Sequence, residues 1–284
     1  MNKLDSEKVL NRFLGSDLNF EVIYQSWDGN CWNCENDGND GMIFAGVKRL
    51  CILDSSFNPP HDGHYSLAFK SVKFQFEQDI DEDEDKALLL LLSVKNADKI
   101  IPEPVSFNHR INMMVLLADD LSKHLNIKVY VGLTKHAKFV DKAFSILKNF
   151  DKKLQDFIKL VFLVGFDTLV RIFDAKYYKP ISLQKALQGF MEKVDLFVLT
   201  REDDKQNFIS LNDQFNYVEK IKLNKFQDIP AEWGQNIYLC KGDNNSLKLS
   251  SSRIRKSIKN GDSNWKNYVN EEVQKYIESL NLYK

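Results

Sequence analysis

Short apolar runs recur along the chain with helix-spaced apolar positions between them, the alternation expected of an α/β domain. Leu50 to Asp54 reads as a short buried strand that runs into a proline-containing turn and then a helix from about Gly63 to Phe76. Ala87 to Val94 predicts a second strand, and its run Ala87-Leu88-Leu89-Leu90-Leu91-Leu92 suits burial on both faces. Phe107 to Leu121 predicts the next helix, with Ser106 as its N-cap. A third strand is expected over Ile127 to Leu133, followed by a helical pattern from about Lys142 to Phe157. Leu160 to Val164, Val194 to Thr200 and Ile237 to Cys240 read as further strands, and a helical tail follows from Ser252 onward.

Near-continuous apolar runs, rather than strict alternation, are the mark of parallel strands covered on both sides. The expected fold is therefore an α/β, Rossmann-like, doubly wound parallel sheet with helices on both faces and a helical C-terminal segment. In such sheets ligands sit outside the carboxyl ends of the strands, which points to the turns after Leu53, Val94 and Val164 before any motif is considered. Residues 1–45 read as an N-terminal extension, with Asp28 to Gly41 as a turn-rich surface insertion, and residues 46–284 as one domain. Glu77 to Asp85 reads as a solvated acidic loop.

Composition narrows the function classes. With 39 basic and 40 acidic residues the net charge is -1, which argues against a nucleic-acid binder but leaves small anionic substrates open. Apolar runs fall well short of the roughly 18 residues needed to span a bilayer, so no membrane partner is expected. The N-terminal stretch carries acidic residues and no extended apolar core, unlike a secretory signal. Cys31, Cys34, Cys51 and Cys240 make neither a disulfide framework nor, without a second ligand pair, a closed zinc site. A cytoplasmic or nuclear protein with reduced thiols is the expectation.

Candidate chemistry concentrates at the end of the first strand. In DSSFNPPHDGHYSL (Asp54 to Leu67), Ser55, Ser56 and Phe57 form a turn whose backbone N–H groups can face phosphate oxygens. His61 and His64 follow three residues apart at a helix start, with Gly63 between them allowing close approach. There both imidazoles can face one ligand, while free amides and the positive helix end attract anions. Two histidines alone do not make a zinc site, and no third ligand has the usual spacing, so phosphate binding is the preferred reading. A second constellation is Leu249-Ser250-Ser251-Ser252-Arg253-Ile254-Arg255-Lys256. Ser250 or Ser251 can cap a helix whose amides then meet a phosphate, and Arg255 offers a fork of donors. Together the segments suggest the two jaws of a triphosphate clamp.

SSFNPPHDGH with LSSSRIR resembles the nucleotidyltransferase superfamily that carries an H-x-G-H motif and an I-S-S-T-x-x-R motif, and within it the nicotinamide mononucleotide adenylyltransferases. Leu163 to Leu169 is similar to that family's G-x-D-x-L segment, Arg110 to Met113 to its R-x-x-M helix, and Phe197 to Arg201 to its apolar strand ending in Thr-Arg. The stretches LDSSFNPPH, KNADK, VGFDT and FDAKYY most resemble a divergent fungal branch, the promoter-of-filamentation type. Ser55 stands where the family pattern usually has glycine, Ser252 where it has threonine, and Phe173, Tyr177 and Tyr178 where it has tryptophans.

The resemblance implies transfer of AMP from ATP to nicotinamide mononucleotide, giving NAD and pyrophosphate. It implies that His61 and His64 hold the phosphates, with His64 at the α-phosphoryl transition state, that Ser56, Phe57, Ser250, Ser251 and Ser252 contact ATP, and that Arg255 and Ser251 neutralise the leaving pyrophosphate. Asn58, Lys99, Gly165, Asp167, Tyr178 and Arg201 would serve the acceptor, Asp167 on a ribose, Lys99 on its phosphate and Tyr178 against a base. Mg²⁺ would ride mainly on the ATP phosphates. Other acceptors, as in cytidylyltransferases or pantetheine-phosphate adenylyltransferases, and an ATP-binding regulator that has lost transfer are the alternatives.

Overall fold

The computed structural model describes residues 4–27, 30–33, 43–76, 86–94, 104–153, 155–200, 210–242 and 249–284. Strands β1 (Phe20–Trp27), β2 (Asn30–Asn33), β3 (Arg49–Asp54), β4 (Lys86–Ser93), β5 (Lys128–Thr134), β6 (Lys159–Gly165), β7 (Val194–Leu199) and β8 (Ile237–Cys240) form one sheet in the order β2-β1-β5-β4-β3-β6-β7-β8. From β5 to β8 every pairing is parallel, whereas β1 runs antiparallel to both β5 and β2. Winding starts at the centre and reverses between β3 and β6, which is the doubly wound, Rossmann-like arrangement.

Alternation along each strand divides the core. Leu50, Ile52, Leu89 and Leu91 face one side, under α4 (Phe139–Leu147), α6 (Leu183–Lys193) and α7 (Leu211–Lys222). Cys51, Leu53, Leu88 and Leu90 face the other, under α1 (Ser6–Gly15), α2 (Asp62–Lys73) and α3 (Phe107–Leu125). Leu88 to Leu91 are wholly buried, and each contributes roughly 1.5–3 kcal/mol relative to an exposed leucine. A third cluster joins Val105 and Met113 to the C-terminal helices α8 (Ser251–Lys259) and α9 (Glu271–Ser279), through Ile254, Ile258, Val273 and Ile277. It seats α8 beside the start of α3.

Two elements depart from expectation. Within residues 1–45, β1 joins the sheet as an added antiparallel strand, and a register shift between Val22 and Tyr24 breaks the period-two pattern that would have revealed it. Gly132 in β5 makes room for this strand: a Cβ there would come within 3.0 Å of Phe20 and Leu89 side-chain atoms. The helical pattern over Lys142 to Phe157 shrinks to α4, which ends at Leu147. The Asp151 carboxylate accepts from the Lys153 N–H at 2.8 Å, a local turn that competes with helix. The acidic segment 77–85 and most of Asp28 to Gly41 lie outside the described residues. Among the described residues, no helix is long and apolar enough to cross a membrane.

Candidate functional site

The carboxyl ends of β3, β6 and β7 open into a cavity of about 610 Å³ at the point where the winding reverses. His61 is the N-cap of α2. Its Nδ1 accepts from the Gly63 N–H at 3.1 Å, and its own backbone N–H donates to His64 Nδ1 at 3.1 Å. The pair is thus a reciprocal cap with imidazoles in place of the usual serine and glutamate. A ring nitrogen that accepts carries no proton, so in both rings the remaining donor is Nε2. The two ring centroids lie 4.0 Å apart. His64 Nε2 sits 2.8 Å from Ser55 Oγ.

Phe57 adopts a left-handed φ of 44°, costly for a bulky residue, and its wholly buried ring packs 5.1 Å from the His64 ring. Its side chain supports the histidine from beneath. That packing occupies the side chain, while the reading from the sequence concerned the backbone N–H of Phe57.

The second segment meets the first directly. Ser250 caps α8, accepting from the Arg253 N–H at 3.3 Å. Ser251 Oγ donates to the Pro59 carbonyl at 2.8 Å, and Arg255 Nη1 donates to the Asn58 carbonyl at 2.7 Å. Arg255 Nη2 donates to Ser252 Oγ at 3.0 Å. Asn58 is held from its other end too, since Tyr283 Oη donates to its Oδ1 at 2.8 Å. Burial pushes the Tyr283 hydroxyl well above the ordinary tyrosine range, against the pull of Arg110 and Arg255, so it stays a donor.

Ser56, Asn58, His61, His64, Gly165, Ser250, Ser251, Ser252 and Arg255 all line the cavity. Arg110, Arg171, Thr168 and Thr200 line it as well, and sequence reasoning gave them no role. Arg110 is 5% exposed; burial and then the nearby Arg255 charge lower its pKa, with Tyr283 opposing. Its Nε donates to the Val105 carbonyl at 3.1 Å, and its guanidinium lies 5.0 Å over the Phe107 ring. Asp54 is the acidic side chain among the described lining residues, and it pairs with the buried Lys142 of α4. The balance of the wall is cationic, and the N-termini of α2 and α8 add to it, so the cavity suits a polyanion.

Two acceptor candidates sit elsewhere. Asp167 is exposed in the first turn of α5 (Phe166–Ile172), and Thr168 and Arg171 of that helix reach the cavity instead. Tyr178 packs against the core, and its hydroxyl donates to the Ile172 carbonyl at 2.8 Å. Lys99 and Arg201 lie outside the described residues. The backbone N–H of Ser55, expected to face phosphate, donates instead to the Leu91 carbonyl at 3.2 Å.

Residues 52–257 match the model of the cytidylyltransferase-like family. The chain belongs to that family. A Schizosaccharomyces pombe protein, named as a candidate nicotinamide mononucleotide adenylyltransferase, is 39% identical over 241 residues, covering 84% of each chain. A Borrelia garinii protein, named as a candidate nicotinate-nucleotide adenylyltransferase, is 28% identical over 238 residues, covering 83% of this chain and 94% of its own. The solved structure of Plasmodium falciparum nicotinic acid mononucleotide adenylyltransferase complexed with APC shares the fold, with a TM-score of 0.54 at 19% identity over 83% of this chain and 96% of that one. The likeness to nicotinamide mononucleotide adenylyltransferases read from HDGH and SSSRIR therefore holds, and this family member is an adenylyltransferase.

Proposed function

We propose that the protein transfers AMP from ATP to nicotinamide mononucleotide, forming NAD and pyrophosphate. The observation that carries this reading is the closed contact between two segments distant in sequence, Asn58 to His64 and Ser250 to Arg255, across a cationic cavity. The S. pombe relative's name supports the nicotinamide acceptor.

In this reaction a 5′-phosphate oxygen of the acceptor attacks the α-phosphorus of ATP in line. The new P–O bond forms as the bond to the pyrophosphate oxygen breaks, with no covalent enzyme intermediate. Catalysis is then positioning and charge stabilisation, and orientation alone supplies roughly 7–11 kcal/mol. His61, His64 and the positive end of α2 gather around the triphosphate, while Arg255 and Ser251 meet the departing pyrophosphate from α8. Mg²⁺ enters as part of the substrate, on the ATP phosphates. Among the described residues no cluster of three or more His, Cys, Asp or Glu could hold a metal, and Asp54 is engaged by Lys142.

Nicotinic acid mononucleotide is a second acceptor, favoured by the names of the B. garinii and P. falciparum proteins. Purified protein with MgATP and each mononucleotide in turn decides between them by chromatography of the products. NAD forming faster than its deamidated counterpart supports the proposal. The reverse preference moves the function to nicotinic acid mononucleotide, and ATP binding without transfer to either makes the protein a nucleotide-binding regulator.

A further inference from the structure

The hydrogen bonds at the end of β3 assign a role to a residue outside the HDGH motif. Nδ1 of the buried His64 is fixed as an acceptor by the His61 N–H, so Nε2 is the donor of that ring. That donor faces Ser55 Oγ at 2.8 Å. The backbone N–H of Ser55 is committed to the Leu91 carbonyl at 3.2 Å, which leaves the hydroxyl as the polar hydrogen this residue offers to the cavity it lines. A hydroxyl that accepts from an imidazole N–H keeps its own hydrogen for donation, and bonds arranged in such a chain polarise one another.

We propose that Ser55 is a direct phosphate contact for ATP, its Oγ–H donating to a phosphate oxygen while its Oγ accepts the Nε2–H of His64. His64 is then the positioning residue for this serine, and its donor capacity reaches the phosphate through the hydroxyl. The inference rests on the reading that the cavity holds the triphosphate, and it refines the part His64 plays there. The position that carries glycine in the family pattern thus carries an added side-chain donor in this chain.

Calorimetric titration of MgATP into the wild type, Ser55→Ala and Ser55→Thr separates the possibilities, with thermal melts showing that each variant is folded. Ser55→Ala is expected to weaken ATP binding about tenfold or more, while Ser55→Thr, which keeps the hydroxyl, stays within about threefold of wild type. Acceptor KM should be unchanged in Ser55→Ala. Ser55→Ala binding as tightly as wild type overturns the inference. So does equal weakening of both variants, which would mean the site needs a compact side chain and not a hydroxyl. Failure of the wild type to bind ATP overturns the nucleotide reading itself, and is distinguished by that first titration.

Discussion

Lys142→Met isolates the least obvious interaction near the cavity. Lys142 reaches from α4 to Asp54 at the end of β3, and the two side chains are 4% and 10% exposed. Water therefore screens neither charge well, and removing the lysine leaves a carboxylate buried beside the turn from Ser55 to His64. Breaking a buried pair from one side costs about 3–5 kcal/mol, because the remaining charge loses its partner without regaining solvent. For a chain of this size that corresponds to a fall in Tm of roughly 6–20 °C. The internal control is Lys193→Met. Its partner Asp156 is 81% exposed, so solvent screens that pair and its loss should cost far less than that of Lys142. Urea unfolding followed by far-UV circular dichroism gives the comparison, with Lys142→Met/Asp54→Asn as the closing corner of a double-mutant cycle. Removing the stranded charge should recover most of the lost stability and also the ATP affinity that a bare carboxylate would depress. Loss below about 1 kcal/mol in Lys142→Met, or a double variant no better than the single one, would refute the reasoning.

The remaining predictions separate chemistry from support. His64→Ala should lower turnover by about 10² or more in the dinucleotide assay, against a stability loss near 1 kcal/mol for the missing cap; near-normal turnover would remove His64 from the site. Tyr178 should affect stability in a pH-dependent way and leave KM alone. Burial, then Asp141 and Asp174, push its hydroxyl from about 10 up to about 12, so the stability it contributes is full below pH 10 and is lost as the pH rises towards 12. The advantage of wild type over Tyr178→Phe in urea midpoint should therefore shrink between pH 10 and pH 12, and a constant difference would contradict the buried placement.

How much of this was legible in the sequence depends on whether the signal was local. The parallel strands were, because β4 reads Ala-Leu-Leu-Leu-Leu-Leu and nothing but burial on both faces accommodates it. The two segments that meet at the cavity were legible as well, since a cap, a glycine and two histidines fall within a single helix turn and Ser250 to Arg255 lie at the start of another helix. What stayed hidden was pairing across the sheet. Lys142 looks like any helix lysine until α4 packs its stem against β3, and Tyr283 becomes a support for Asn58 only when α9 folds back across α3. Asp167 and Tyr178 show a different limit, since neither is among the residues lining the cavity. Each was chosen from a segment that does reach the cavity wall or its surroundings, but helix geometry turns Thr168 and Arg171 inward and leaves Asp167 outside, while the Ile172 carbonyl engages the Tyr178 hydroxyl. Ser55 shows the sharpest form of this limit. From the sequence it is a departure from a glycine position, whereas the 2.8 Å contact with His64 makes that same departure a source of a donor. The residues that a motif names were thus the more legible part of the site, and the residues that hold or extend the motif had to be found from packing.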